Sequence, residues 1–204
     1  MKKGVIIMLI AMLIMSTMSI TLAKEFPDVP ADHWALKYID ELSDKGVING
    51  YDDGTYQPSG TVKRGEFIKL VVASVFPSWM SIDEIEGGID HWAGPYLKFA
   101  EMYSLIDPGT VTLENIDEPI TRMEMARLVV YSDVIILQHD SHYKQDVEFL
   151  DIASLPLKDI YVLSHATNTG LITGYEDNTF KPEQTMTRAE AATMIWRFNN
   201  LKGE

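Results

Sequence analysis

Apolar residues recur at helical spacing in this chain, in stretches that short polar turns separate. The first stripe ends at Gly46, in the manner of a helix followed by a C-terminal glycine, and its members are Trp34, Tyr38, Ile39 and Leu42. A later stripe has the same spacing and comprises Trp92, Tyr96, Leu97 and Ala100. A loop rich in Gly, Asp and Asn follows the first stripe, and a second apolar helix begins after it. The pattern predicts helix-turn-helix units.

These units form a threefold internal repeat. The stretch Gly-Tyr-Asp-Asp-Gly-Thr-Tyr-Gln-Pro at 50–58 returns as Gly-Tyr-Glu-Asp-Asn-Thr-Phe-Lys-Pro at 174–182. Arg64 and Arg188 have the same separation as these loops, 124 positions. Trp34 and Trp92 are 58 positions apart, as are Arg64 and Arg122. Because two motifs share each offset, chance is a poor explanation.

The repeat predicts a mainly α-helical single domain. A helix pair with one apolar face cannot bury that face alone, so we expect three pairs to pack as a pseudo-threefold helical bundle. The predicted boundaries are copy one at 24–76, a linker at 77–88, a degenerate copy two at 89–137, a linker at 138–148 and copy three at 149–200.

Residues 1–23 have the features of an export signal. Two lysines precede an apolar run, and small residues at its end provide a cleavage site before Lys24. The alternative is a retained membrane anchor, because the run is long enough to cross a bilayer. The chain contains no Cys, so an exported domain needs a real hydrophobic core in place of disulfides.

Charge and composition narrow the classes of function. The net charge of -13 argues against nucleic-acid binding, which needs clustered cations. An anionic ligand would have to be attracted locally, by a few Arg side chains. Outside the repeat pattern no arrangement of catalytic residues stands out, so we expect no enzyme and no cofactor. His139, Asp140 and His142 invite a metal hypothesis, but three residues without a fourth ligand favour a solvated stretch.

One cation recurs at the start of every second helix. Thr121 and Thr187 precede a Glu by three positions, which is the spacing of a capping box. Arg122 and Arg188 then occupy the first helical position, where a cation opposes the helix dipole. We expect an offsetting interaction, in which the guanidinium and free backbone N–H groups bind a carboxylate or phosphate. The alternative is an ion pair with an acidic residue of the neighbouring copy.

Copy one departs from this pattern at its helix start. Lys63 replaces the capping Thr, so the cap is lost while a second cation stands beside Arg64. Copy two lacks the Gly-Tyr loop and has Pro-Gly-Thr at 108–110, which predicts that one of three potential grooves is degraded.

The two tryptophans at the first stripes have two interpretations. Packing in the core is the better interpretation for a Trp within a helical stripe, and stacking on a sugar ring is the alternative. Copy three has no Trp here; depending on register, it has Pro156, Leu157 or Lys158.

Together these motifs resemble the S-layer homology repeat of bacterial surface proteins over about residues 26–200. The resemblance implies three repeats that bind an anionic, often pyruvylated, secondary cell-wall polysaccharide on peptidoglycan. It further implies a secreted protein at the cell wall or surface layer. The residues expected to bind the polymer are Arg64, Arg122, Arg188, Lys63, Trp34, Trp92, Gly50, Tyr51, Gly174 and Tyr175. The alternatives are a surface-layer assembly module that contacts other surface-layer proteins, and a membrane-tethered surface protein.

Overall fold

The protein is mainly helical, as the sequence predicts. The computed structural model describes residues 25–76, 81–139 and 147–201. The helices in these residues are α1 (Leu36–Asp44), α2 (Arg64–Val75), α3 (Gly94–Met102), α4 (Arg122–Tyr131), α5 (Leu157–Asn168) and α6 (Arg188–Leu201). A 3-10 turn at Ile82–Glu84 precedes α3, and a π-helical turn at Ser132–Ile136 extends α4. The predicted export signal lies outside the described residues. Within them, each helix is too short or too polar to span a bilayer.

The segments that precede α2, α4 and α6 form a closed ring of backbone hydrogen bonds. The Val62 N–H donates to Met186 O at 3.0 Å, the Met186 N–H to Ile120 O at 3.2 Å, and the Ile120 N–H to Val62 O at 3.0 Å. All three side chains are about 1% exposed. Each copy thus contributes one segment to the ring. The arrangement of the whole copies about one axis stays a prediction.

Helix packing crosses the boundaries between copies. The first helix of each copy packs against the second helix of another copy: α1 against α6, α3 against α2, and α5 against α4. Helix α2 also contacts both α4 and α6. The apolar side chains between these helices form one continuous core, whose largest fully buried members include Phe67, Phe99, Phe180 and Phe198. Burying such a side chain contributes roughly 1.5–3 kcal/mol. The stability of each helix therefore depends on its packing against a helix of another copy.

The predicted capping boxes are present at α4 and α6. Thr121 Oγ1 accepts from the Glu124 N–H at 3.3 Å, and Glu124 Oε2 accepts from the Thr121 N–H at 2.8 Å. Thr187 and Glu190 form the same pair of bonds at 3.2 and 2.8 Å. At α2 only the second bond exists, from the Lys63 N–H to Glu66 Oε2 at 2.9 Å, because an ammonium group cannot accept. The loss of the cap in copy one is therefore confirmed.

We expect Thr121→Ala to lower the free energy of unfolding by about 1 kcal/mol, because it removes a helix cap. Lys63→Ala is the matched control at the equivalent position; it removes only an exposed ion pair to Asp117, and a change under about 0.5 kcal/mol is expected. Urea unfolding followed by circular dichroism measures both. Equal losses in the two variants would contradict the assignment of the cap.

Candidate functional site

Three grooves lie between the copies, and each takes side chains from all three. A loop and second helix come from one copy, an Arg comes from the start of another copy's second helix, and a third copy contributes a bulky side chain at the rim. Groove 1 contains Gly50, Tyr51, Arg188 and Trp92. Groove 2 contains Ile106, Asp107, Arg64 and Lys158. Groove 3 contains Gly174, Tyr175, Arg122 and Trp34. Their cavity volumes are about 180, 130 and 210 Å³.

Nine of the ten residues predicted from the sequence line these grooves. The exception is Lys63, which lines none of them and forms an ion pair with Asp117 at 2.9 Å. The sequence interpretation missed Lys158, Lys69 and Arg197, which add cations to grooves 2, 1 and 3. For Lys158 the repeat offset carried a signal, because it was one of three candidates for the Trp position. Binding by these residues stays a prediction.

The two rim tryptophans are exposed, so the interpretation of them as core residues is wrong. Trp34 is 59% exposed and Trp92 is 53% exposed. Both precede their helices by two residues, in a turn where His33 Nδ1 and His91 Nδ1 accept from the N–H two positions later, at 3.1 and 3.2 Å. Each His ring also lies against the Trp that follows it, with centroids 5.6 and 5.3 Å apart. The Trp faces are thereby held at the groove edge.

The Gly-Tyr loops are shaped by a Phe of the same copy. A Cβ atom at Gly50, where φ is +66°, would collide with the Phe26 ring and with Thr55 O. A Cβ atom at Gly174 would collide with the Phe149 ring. These glycines therefore let the loop backbone pass close to the Phe ring of the same copy.

A carboxylate fixes the other end of each loop. Asp28 accepts from the N–H groups of residues 56 and 57 at 2.8 and 2.7 Å. Asp151 accepts from residues 180 and 181 at the same two distances. Both Asp residues stand two positions after the Phe of their copy, but that spacing alone predicts no role for them. Each one buttresses the loop that lines groove 1 or groove 3.

Arg64 in groove 2 is already compensated. Its Nε donates to Glu124 Oε1 at 2.9 Å and its Nη1 to Glu118 Oε2 at 3.0 Å. Nη1 also lies 3.1 Å from Asn115 O. Both carboxylates belong to copy two, so this Arg follows the alternative interpretation, an ion pair with the neighbouring copy. These hydrogen bonds raise the pKa of Arg64 although burial opposes them.

Arg188 in groove 1 is partly compensated. Its Nε donates to Tyr56 O at 2.8 Å, and its Nη1 lies 3.5 Å from Glu66 Oε1. The guanidinium carbon lies 4.5 Å from the Tyr51 ring centroid and 4.9 Å from that of Tyr56. Burial raises the pKa of Tyr56 to about 12, so its hydroxyl stays protonated and donates to Arg188 O at 2.9 Å. The hydrogen bonds described for this guanidinium thus involve Nε and Nη1 and leave Nη2 without one.

Arg122 in groove 3 has no carboxylate partner among the described residues. Its Nη2 donates to Thr173 O at 2.6 Å, while its buried Nε has no hydrogen-bond partner. The guanidinium lies over the rings of Tyr175 and Phe180, at 4.7 and 5.0 Å. The residue is 8% exposed, and burial lowers its pKa. Because Arg stays protonated in proteins, Arg122 places in groove 3 a buried positive charge that no described carboxylate pairs with directly, although Glu190 acts on it from farther away.

The backbone N–H groups at these helix starts are not free for an anion. The N–H groups of Arg64, Arg122 and Arg188 donate to Glu118 O, Gln184 O and Gly60 O, at 3.0, 2.9 and 2.8 Å. The next N–H in each helix also donates to a carbonyl of the neighbouring copy. The expectation that free N–H groups add to the site is therefore wrong. Any anion recognition rests on the side chains.

Among the residues that the structure describes, no group of three or more His, Asp or Glu side chains could hold a metal ion. His139 Nδ1 lies 2.8 Å from Asp133 Oδ1, and the other Asp133 oxygen lies 2.9 Å from His165 Nε2. Asp140 and His142 lie outside the described residues. The contacts that are described join the end of α4 to α5.

Comparisons with known proteins relate two segments of this chain to one domain family. The S-layer homology domain family matches residues 25–68 and 163–192, within copies one and three. An S-layer protein of Bacillus thuringiensis subsp. finitimus is 28% identical over 182 residues, which are 84% of this chain and 21% of that protein. The S-layer protein EA1 of Bacillus anthracis is 56% identical over 41 residues, or 20% of this chain and 5% of that protein.

Some relatives are enzymes. The amylopullulanase of Thermoanaerobacterium thermosulfurigenes is 26% identical over 175 residues, which are 85% of this chain and 9% of the enzyme. The chain spans about a fifth of the length of the S-layer relatives that match along most of it. The comparisons thus support the presence of an S-layer homology domain in this chain.

We expect Gly174→Ala to lower the free energy of unfolding by about 1–3 kcal/mol, because the added methyl group overpacks the Phe149 ring. Phe149→Leu removes the ring atoms that collide. The double variant should then lose less stability than the two single changes added together, which chemical unfolding of all four proteins measures. Strictly additive losses would show that the ring is not the obstacle.

Proposed function

We propose that this S-layer homology domain protein anchors noncovalently to the bacterial cell wall by binding an anionic wall polysaccharide in grooves 1 and 3. The observation that carries the proposal is the charge of Arg122 on the floor of groove 3, which no described carboxylate pairs with directly. A buried guanidinium gains a strong, charge-assisted interaction when an anion enters beside it. The exposed Trp34 at the rim adds a flat face on which a sugar ring can stack.

The chemistry of the floor favours a pyruvylated polymer. A pyruvyl ketal carries a carboxylate and a methyl group on the same carbon. Groove 3 offers the Arg122 guanidinium beside the apolar side chains of Leu171 and Met186, and groove 1 offers Arg188 beside Val47 and Ile48. The carboxylate would pair with the Arg while the methyl group contacts the apolar wall. The resemblance to S-layer homology repeats supports the same ligand.

We propose that groove 2 does not bind this ligand. Two carboxylates already accept from Arg64, and a third acid would meet the negative charge of Glu118 and Glu124. The rim residue is Lys158 in place of Trp, and it lies 3.7 Å from Asp107. In this proposal Arg64 stabilises the contact between copies one and two. The enzyme relatives match over a small share of their length, and we propose no catalytic role for this chain.

The test is binding of the protein to purified cell-wall sacculi, before and after mild acid removes the acid-labile pyruvyl groups. Arg122→Ala and Arg188→Ala should each weaken binding by about tenfold or more, since a hydrogen-bonded charge contributes about 1.5–3 kcal/mol. Arg64→Ala is the matched control; it should leave binding within about twofold and lower the free energy of unfolding, because it removes two hydrogen-bonded ion pairs that join copies one and two.

Three outcomes would redirect the assignment. If folded Arg122→Ala and Arg188→Ala variants bind walls normally, and acid treatment changes nothing, the anchoring site is not these grooves. Self-association or capture of surface-layer subunits that ignores the same variants would support the assembly module instead. An intact N-terminus on protein recovered from cells would support the membrane-tethered alternative.

A further inference from the structure

Groove 3 contains a second guanidinium that the repeat does not reproduce. Arg197 lies on α6 and lines groove 3 together with Arg122. The equivalent positions in copies one and two are Ala73 and Tyr131. Arg197 is therefore specific to this groove.

Both guanidiniums are held against one short segment of the loop. Arg122 Nη2 donates to Thr173 O at 2.6 Å, and Arg197 Nη1 donates to Leu171 O at 3.4 Å. Two residues of backbone span at most about 7 Å, so the two anchoring carbonyls lie within the width of one sugar unit with its substituents. Burial lowers the pKa of Arg122; the charge of Arg197 adds to this shift and that of Glu190 opposes it, so both charged groups lie near Arg122.

Neither guanidinium is neutralised by an ion pair among the described residues. The acidic side chain in groove 3 is Glu190, whose Oε2 accepts from both the N–H and the hydroxyl of Thr187 at 2.8 Å. In grooves 1 and 2 the equivalent Glu uses its other oxygen to accept from the groove Arg. Groove 3 thus contains two guanidiniums, of Arg122 and Arg197, and one carboxylate, of Glu190, which is hydrogen-bonded to Thr187.

Groove 1 differs in the position and type of its second cation. Lys69 lies five positions after the start of α2, whereas Arg197 lies nine positions after the start of α6. Four residues of helix rise about 6 Å, so the second cation of groove 3 lies about one turn farther along. A guanidinium can also form two parallel hydrogen bonds with one acidic group, whereas an ammonium acts as a point charge.

We propose that groove 3 recognises a sugar unit that carries two acidic groups, one held by Arg122 and the other by Arg197. The inference rests on the proposed anion-binding function and assigns Arg197 as the residue that sets ligand specificity in one groove. Groove 1 then accepts units with one acidic group, and the two grooves select different units of the wall polymer.

Titration calorimetry tests the inference with defined probes in an Arg188→Ala background, which removes the Arg of groove 1. The probes are methyl glucuronoside with one carboxylate, glucose 1-phosphate with one phosphate, and glucuronic acid 1-phosphate with both groups across one ring. We expect the doubly acidic probe to bind at least tenfold more tightly than either single-acid probe. The phosphate control separates two-point binding from a simple preference for phosphate.

Arg197→Gln is the informative variant, because it keeps much of the stem and can still donate to Leu171 O while losing the charge. It should reduce the preference for the doubly acidic probe to below threefold and leave the affinity for methyl glucuronoside unchanged. Lys45→Ala, which removes an exposed cation outside the grooves, controls for net charge and should retain the full preference. Circular dichroism checks that each variant is folded.

The results separate this inference from the proposed function. If Arg197→Gln keeps the tenfold preference, or if the unmodified groove shows none, two-point recognition is overturned. If Arg122→Ala weakens binding of every probe in that case, single-acid binding in groove 3 stands. If Arg122→Ala changes no affinity, the proposed function itself fails for this groove.

Discussion

The ring of hydrogen bonds among Val62, Met186 and Ile120 is the constraint on which the grooves depend. Buried backbone N–H and C=O groups need partners, and at the centre of this domain each copy supplies the partner of another. The ring fixes the segment immediately before each second helix. It therefore fixes where Arg64, Arg122 and Arg188 leave the backbone, two residues later.

The packing of each first helix against the second helix of another copy follows from the same geometry. Each groove is therefore lined by residues of all three copies. A single helix-turn-helix copy contains the loop and the Arg, but its own Arg points into a groove formed with another copy's loop. The rim residue, a Trp in grooves 1 and 3 and Lys158 in groove 2, comes from yet another copy. Folding of the domain and assembly of the grooves are consequently one process, because no copy contains a complete set of the groove residues.

Much of this could be predicted from the sequence, because it is local or periodic. Capping boxes depend on three-residue spacing, and the shared offsets of 58 and 124 place equivalent residues at equivalent positions. The burial of Trp34 could not be decided in that way. The stripe that included it assumed a helix, but α1 begins at Leu36 and the Trp lies in the turn before it. The sequence pattern also could not predict which copy's loop each Arg contacts, because periodicity gives the spacing within the chain and not the packing between copies.

The three grooves show how one motif can acquire different charge states without changing its fold. Each capping Glu has two oxygens, and one of them is committed to the helix start in every copy. The second oxygen accepts from Arg64 at 2.9 Å in groove 2 and lies 3.5 Å from Arg188 in groove 1. In groove 3 the Thr187 hydroxyl bonds to the committed oxygen of Glu190, and Arg122 turns instead to Thr173 O. Small changes in how one carboxylate is shared thus set how much positive charge each groove retains.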